Sequence, residues 1–248
     1  MNDKIRRQQA KQAKGYRAAW FKKHCPGKTF ADVGGLWGIE AETVSLAMKH
    51  GASEGTLIDA WAGDAEADLM WDRLRALWKR KNVEGKCVVA DLEADWYPTV
   101  AGTYDNVFCC GVLYHVPNIL NVVKNLASSA KERLFIVTQT IPNNFENSAG
   151  KLVVPDSQAL FVPSLTEQQK KILKVYYDSH KYDVSHINSK LPLGYDPFIK
   201  PDGSFNYGPS WWLPTRGWLM RILNMFGMHV EATNIRTDHA TQFVCKRK

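Results

Sequence analysis

Residues 29–38 read Thr29-Phe30-Ala31-Asp32-Val33-Gly34-Gly35-Leu36-Trp37-Gly38. A short apolar strand runs into a glycine turn. A helix pattern follows from Glu40 to His50, stopped by Gly51. Strand, glycine turn and helix open the nucleotide-binding half of a doubly wound fold. Working outward, further strands are expected at Gly55–Asp59, Cys87–Asp91, Tyr104–Cys110 and Arg133–Thr138. Between them lie helix patterns at 64–81, with Leu69, Trp71, Leu74 and Leu77 on its apolar side, and at 117–128. Apolar strands alternating with helices indicate a parallel sheet covered on both faces.

The regularity stops at Pro142. From there to Trp212 the chain is rich in Pro, Gly, Asn, Ser and aromatic residues, with one helix pattern near 166–178. A helix resumes at Thr215–Phe226 and ends at Gly227. Two closing strands follow, near His229–Ile235 and Gln242–Lys246. The expected class is therefore α/β: a Rossmann-like doubly wound sheet, mostly parallel with an antiparallel last strand. An aromatic-rich insertion, 142–212, follows strand five. Long irregular segments of this kind often serve as lids or substrate walls.

The 248 residues carry a net charge of +7, which at first suggests a nucleic-acid partner. Residues 1–23 hold eight Lys or Arg against one Asp, so the remaining chain is neutral. The basicity belongs to an arm over 1–24, ahead of a domain over 25–248. Ala13, Tyr16 and Trp20 share one face of a helical arm. That arm has three readings: a solvated face, a cap over the cofactor, or a grip on RNA phosphates. No run of ~18 apolar residues suggests a membrane span. The charged N-terminus does not read as a secretory signal. Five cysteines without C-x-x-C spacing argue against a disulfide framework or a zinc site, so no metal is expected and a reducing cytoplasm is the default.

The first loop departs from the dinucleotide pattern Gly-x-Gly-x-x-Gly, because Leu36 stands at its middle glycine and Asp32 precedes it. A pyrophosphate disfavours a neighbouring carboxylate, whereas an amino-acid ammonium favours one. Asp32 therefore argues against a dehydrogenase and for S-adenosylmethionine (SAM). Asp59 ends the second strand, where a carboxylate can accept hydrogen bonds from ribose hydroxyls. Asp91, or the amide of Leu92, ends the third and faces an adenine edge. Each acid alone has an ordinary alternative as a turn or a helix cap; their common order is the stronger signal.

Three stretches carry a family resemblance: Phe30–Gly38 with Asp59; Tyr104–Pro117, containing Gly111-Val-Leu-Tyr-His115; and Trp211–Gly227. On these the chain resembles the class I SAM-dependent methyltransferases over roughly 28–141 and 209–246. Within them it looks like the subgroup related to tRNA wobble-uridine (carboxy)methyltransferases. The basic signature of a carboxymethyl-transferring relative has no clear match near Thr237–Gln242, which favours plain methyl transfer. The resemblance implies SAM as cofactor, leaving S-adenosylhomocysteine as product. It places Asp32, Gly34, Gly35, Gly38, Asp59, Ala60, Asp91, Leu92, Cys110 and Gly111 around it.

In-line methyl transfer depends mostly on positioning, with a base needed where the acceptor must lose a proton. His115 is the candidate base, because its unperturbed pKa lies near neutrality; its ordinary alternative is a cap on the following helix or a hydrogen bond to the backbone. Tyr114 lies beside it, and His180 and His186 are second candidates. Tyr177, Tyr182, Trp211 and Trp212 are candidate substrate-wall residues; packing within the insertion is their ordinary alternative. Trp37 either presses on the methionine part of the cofactor or packs under the arm. The expected acceptor is an oxygen or nitrogen of a small molecule or glycan. The alternatives are an RNA base methyltransferase and a non-catalytic binding module of the same fold. Oligomeric state is left open.

Overall fold

The computed structural model describes residues 15, 17–39, 42–179, 198–237 and 239–248. His180, Tyr182 and His186, together with Ala13 and Tyr16, lie outside the described residues. Seven strands form the main sheet: β1 (Thr29–Val33), β2 (Glu54–Asp59), β3 (Gly85–Val89), β4 (Tyr104–Cys110), β5 (Ala130–Gln139), β10 (Met228–Thr237) and β11 (Ala240–Arg247). Their order is β10-β11-β5-β4-β1-β2-β3. Strands β1 to β5 pair in parallel, while β11 runs antiparallel to both β5 and β10. The order reverses between β1 and β4, and the C-terminal ends of these strands open the crevice where such sheets bind ligands.

Alternate residues of each strand enter two separate cores. Ala31, Val33, Ile58, Val107 and Cys109 join one, shared with α4 (Tyr97–Ala101), α5 (Ile119–Ser129) and α7 (Arg216–Met225). Phe30, Leu57, Phe108 and Phe135 join the other, shared with a helix over 17–24 (α1), α2 (Val44–Lys49) and α3 (Ala65–Lys81). A third small core belongs to the insertion. All five cysteines are free thiols. No helix among the described residues is long and apolar enough to cross a membrane.

Several expectations are adjusted. Leu69 is exposed, and the buried stripe of α3 is Ala67, Trp71, Leu74 and Trp78 with Leu77. Leu69 sits two positions from both Ala67 and Trp71, about 200° around the helix, so it faces water. The helix expected from Glu40 is shorter among the described residues, beginning at Val44 behind the N-cap position Thr43. The insertion holds more order than its composition suggests. It contains a hairpin of β6 (Asn144–Asn147) and β7 (Gly150–Val153), followed by β8 (Ala159–Phe161), α6 (Glu167–Ser179) and β9 (Trp212–Pro214). Strand β8 pairs with β9 at the insertion's end.

The described part of the arm is built into the fold. Trp20 and Phe21 are buried, and their rings meet Phe135 at 5.0 Å and Phe30 at 5.3 Å. Arg17 lies over the Phe108 ring, 5.4 Å from its centroid. This stretch of the basic segment is a core helix, with two of its aromatics as anchors.

Candidate active site

The glycine loop is shaped by close approach. Gly34 takes φ +77°, and a Cβ there would lie 2.3 Å from Val112 Cγ2. A Cβ on Gly35 would lie 2.8 Å from an Asp32 carboxylate oxygen. Among the described residues, nothing lies within 4 Å of a Cβ built on Gly38. The loop thus brings its backbone against strand β1 on one side, and the described residues leave it uncovered at Gly38.

Asp32 lies near the end of β1, ahead of the glycine loop. It is buried, and its Oδ2 accepts the Thr43 amide at 2.8 Å. Burial pushes its pKa up to about 6, opposed by the Thr43 hydrogen bonds and the Arg17 charge. The carboxylate fastens the glycine loop to the start of α2. Neighbouring Glu42 is also buried; it accepts the Ser45 amide at 2.9 Å and pairs with Lys81 at 3.0 Å. Nothing in the local sequence distinguishes a strand-end acid facing Thr43 from one facing a ligand.

Asp59 lies at the end of β2 as expected. Its Oδ2 accepts the Leu36 amide and its Oδ1 the Trp61 amide, both at 3.0 Å. Burial raises its pKa, and the amides of Trp61, Leu36 and Ala60 counter that rise. A carboxylate has about four acceptor positions, so capacity remains for hydroxyl donors. Ala60 beside it is exposed.

Asp91 lies two residues past β3, and its Oδ1 accepts the Glu93 amide at 2.9 Å. The Leu92 side chain is in the core, and its carbonyl accepts Asn125 Nδ2 at 2.9 Å. Cys110 and Gly111 close strand β4, with Gly111 at φ +79° donating to the Val137 carbonyl. The ends of β1, β2, β3 and β4 thus gather the glycine loop, Asp59, Asp91 and Gly111 along one sheet edge.

His115 and Tyr114 follow β4, their rings 4.2 Å apart. His115 Nδ1 is 3.1 Å from the Pro209 carbonyl oxygen. A carbonyl only accepts, so the neutral ring carries its proton on Nδ1 and its lone pair on Nε2. Burial lowers the His115 pKa, against the opposing pull of the Pro209 and Gly208 carbonyls. A lowered pKa leaves the ring neutral at physiological pH. Pro209 was not legible as its partner, because a carbonyl 94 positions away leaves no residue-type signal.

The segment 206–212 crosses this site. The amides of Trp211 and Trp212 donate to the Tyr114 carbonyl, and Trp212 Nε1 donates to the Pro117 carbonyl at 3.0 Å. Tyr207 hydrogen-bonds Glu93, and its pKa is raised first by burial, then by that bond and the Glu93 and Asp91 charges. Of the expected wall residues, Tyr177 is buried in the insertion core beside Phe145 and Leu173, and so is no wall. Trp211 is buried with its indole N–H on the Asn206 carbonyl. Trp212 is half-buried between Phe161 and Trp218. Trp37 is 76% exposed and leans on Trp61. Among the described residues, no three His, Cys, Asp or Glu side chains group as a metal site.

No family model matches the chain. It is 28% identical over 148 residues to a ubiquinone biosynthesis O-methyltransferase of Idiomarina loihiensis, covering 60% of this chain and 56% of the relative. The corresponding protein of Vibrio campbellii is 29% identical over 148 residues, covering 60% and 58%. The matched region thus spans a little over half the length of these curated relatives. Among solved structures, magnesium protoporphyrin IX methyltransferase from Synechocystis PCC 6803 with bound S-adenosylhomocysteine (SAH) superposes with a TM-score of 0.55 at 17% identity. That match covers 98% of this chain and 85% of the other. The N-terminal domain of EvdMO1 with bound SAH gives a TM-score of 0.51 at 18% identity, over 94% and 79%. With the strand order, the glycine loop and the strand-end acids, these likenesses establish that the chain has the class I SAM-dependent methyltransferase fold.

Proposed function

We propose that the protein is a SAM-dependent methyltransferase acting on a small-molecule acceptor, most simply at a hydroxyl oxygen. The observation that carries the reading is Asp59, held at the C-terminal end of β2 by the Leu36 and Trp61 amides with acceptor capacity left over. The residues present fit SAM: the described residues leave the backbone at Gly38 uncovered, Asp59 suits ribose hydroxyls, and the loop at Asp91–Leu92 suits an adenine edge. When bound, the cofactor supplies an electrophilic methyl group. The chain's own residues would do the rest. Gly34 and Gly35 let the loop lie close to β1. Asp32, through Thr43, holds the loop to α2. Gly111 and Cys110 form the floor near the reacting centre. His115 Nε2 would accept the proton of a hydroxyl acceptor, with Tyr114 alongside.

The curated relatives are named for O-methyl transfer in ubiquinone biosynthesis, which supports oxygen over nitrogen. An acceptor phenol has a pKa near 10, so a neutral histidine base assists its attack at physiological pH. A glycan hydroxyl would need the same help. RNA-base methylation and the wobble-uridine relationship find less support, because the described part of the arm spends its anchors on the core.

The test is calorimetry with SAH on the wild type and on Asp59→Ala. Loss of its hydrogen bonds should weaken binding by ~1–3 kcal/mol. Equal affinity in a folded Asp59→Ala protein would remove the observation on which the reading rests. Methyl transfer from labelled SAM to a panel of phenols and catechols then addresses the acceptor.

A further inference from the structure

Glu93 joins three segments beside the site. Its amide donates to Asp91 Oδ1 at 2.9 Å, within the loop after β3. Its Oε1 accepts the amide of Asn118, the N-cap of α5, at 2.6 Å. Its carboxylate also accepts the Tyr207 hydroxyl from the segment 206–212. Asn206 ties that segment into one turn: its Oδ1 accepts the Gly208 amide at 2.9 Å, and its carbonyl accepts Trp211 Nε1 at 2.8 Å. The far end of the turn is buried at Ser210 and Trp211, with the Trp211 amide on the Tyr114 carbonyl at 2.7 Å. The near end is Tyr207, 46% exposed. Between them lies Pro209, whose carbonyl oxygen meets His115 Nδ1 at 3.1 Å, and the Gly208 carbonyl bears on the same ring. Which nitrogen of a neutral histidine carries the proton is set by the hydrogen bonds the ring makes. At His115 that bond comes from the turn, so the placement of the turn decides whether Nε2 is left as the acceptor.

We propose that Glu93 and Tyr207 are positioning residues for His115: their hydrogen bond latches the 206–212 turn, so that the Pro209 carbonyl keeps the imidazole proton on Nδ1 and leaves Nε2 to take the acceptor's proton. This rests on the reading of His115 as the base and adds to it the pair that fixes its tautomer. Both residues act through the turn rather than on the acceptor. The buried end of the turn is held by main-chain bonds to Tyr114, whatever Tyr207 does. The exposed end has Glu93, so the latch sets the angle at which Gly208 and Pro209 present their carbonyls. Tyr207→Phe removes one hydroxyl from a half-exposed ring, and Glu93→Gln keeps an oxygen to receive it. The latch can therefore be opened and restored without touching the core.

The experiment is nitrogen-15 NMR of the histidine rings in the full chain, with and without SAH, on wild type, Tyr207→Phe, Glu93→Ala and Glu93→Gln. His115→Gln assigns the His115 signals, and the two neutral tautomers differ in their ring-nitrogen shifts. The wild type should hold the Nδ1–H form. The ratio of Nδ1–H to Nε2–H forms should fall about tenfold or more in Tyr207→Phe and Glu93→Ala, the scale of one lost hydrogen bond to a charged group. Glu93→Gln should keep the wild-type signals. Turnover of an acceptor phenol from labelled SAM should fall with that ratio, in kcat and not in the KM for SAM. A Tyr207→Phe ring indistinguishable from wild type overturns the latch and leaves the methyltransferase reading in place. A shift in Glu93→Ala alone makes Glu93 a support for Asn118 and also overturns the pair. Full activity of His115→Gln overturns the base reading, and the latch's part in turnover with it. A wild type that binds no SAH overturns the methyltransferase reading itself.

Discussion

Replacing Gly34 by alanine isolates the geometry that shapes the loop. Two costs add at this position. A residue with a Cβ at φ +77° meets the left-handed penalty of ~1–2 kcal/mol. The new methyl would also lie 2.3 Å from Val112 Cγ2, and overpacking of this kind costs ~1–3 kcal/mol. Gly34→Ala is therefore expected to destabilise the fold by ~2–5 kcal/mol. The two costs separate in a double-mutant cycle. In a Val112→Ala background the collision disappears and only the backbone penalty of ~1–2 kcal/mol remains, leaving a favourable coupling of ~1–3 kcal/mol. Urea unfolding of the four proteins, followed by circular dichroism, measures each corner. SAH calorimetry on the same set shows whether the loop keeps its binding shape. A Gly34→Ala protein as stable as the wild type, or one whose loss is identical in both backgrounds, would refute this account of the loop.

Other expectations follow from separate sites. Asp32 has a raised folded pKa, so it favours the folded state less as pH climbs from its unfolded value near 4 through its folded value of about 6. Asp32→Asn, which keeps an acceptor for the Thr43 amide, should gain ~1 kcal/mol relative to the wild type between pH 5 and pH 8, read from denaturation at both pH values; an opposite slope contradicts the burial argument. Trp20→Ala empties a buried site among Phe21 and Phe135 and should cost ~3–5 kcal/mol, whereas Lys22→Ala should be nearly silent; a silent Trp20→Ala would return the arm to the status of a solvated tail. His115→Gln should lower kcat by ~10²–10⁴ on a hydroxyl acceptor. The wild-type rate should fall only at acidic pH, below the ordinary histidine value, because burial holds His115 neutral; a rate that still climbs well above neutrality would assign the proton to another group.

Much of the fold is legible in the order of apolar segments. Strand β4 spans the expected residues Tyr104–Cys110, because seven mostly buried positions leave no competing period. Helix α3 begins one residue inside its expected range, capped by Asp64, whose carboxylate accepts the Ala67 amide. The pairing of β8 with β9 was not legible, because it joins Ala159 to Pro214, 55 positions apart. Among candidate site residues, position along the strands was readable but direction was not. Asp32 and Asp59 both end strands, yet one turns inward to Thr43 and the other ties two loop amides. Tyr177 looked like a wall residue because exposure and burial share one composition; the helix face of α6 decided it. The +7 charge pointed outward to a partner, while Trp20 and Phe21 within the same arm pointed inward to the core.

The central claim is that the edge formed by the glycine loop, Asp59 and Gly111 is a SAM site with His115 beside the transferred group. The most direct measurement is a crystal structure of the full chain with SAH. The account predicts ribose hydroxyls on Asp59, the amino-acid end along the Gly34–Gly38 loop, and the sulfur on the His115 side of Gly111. SAH elsewhere, or a ribose that bypasses Asp59, would contradict it.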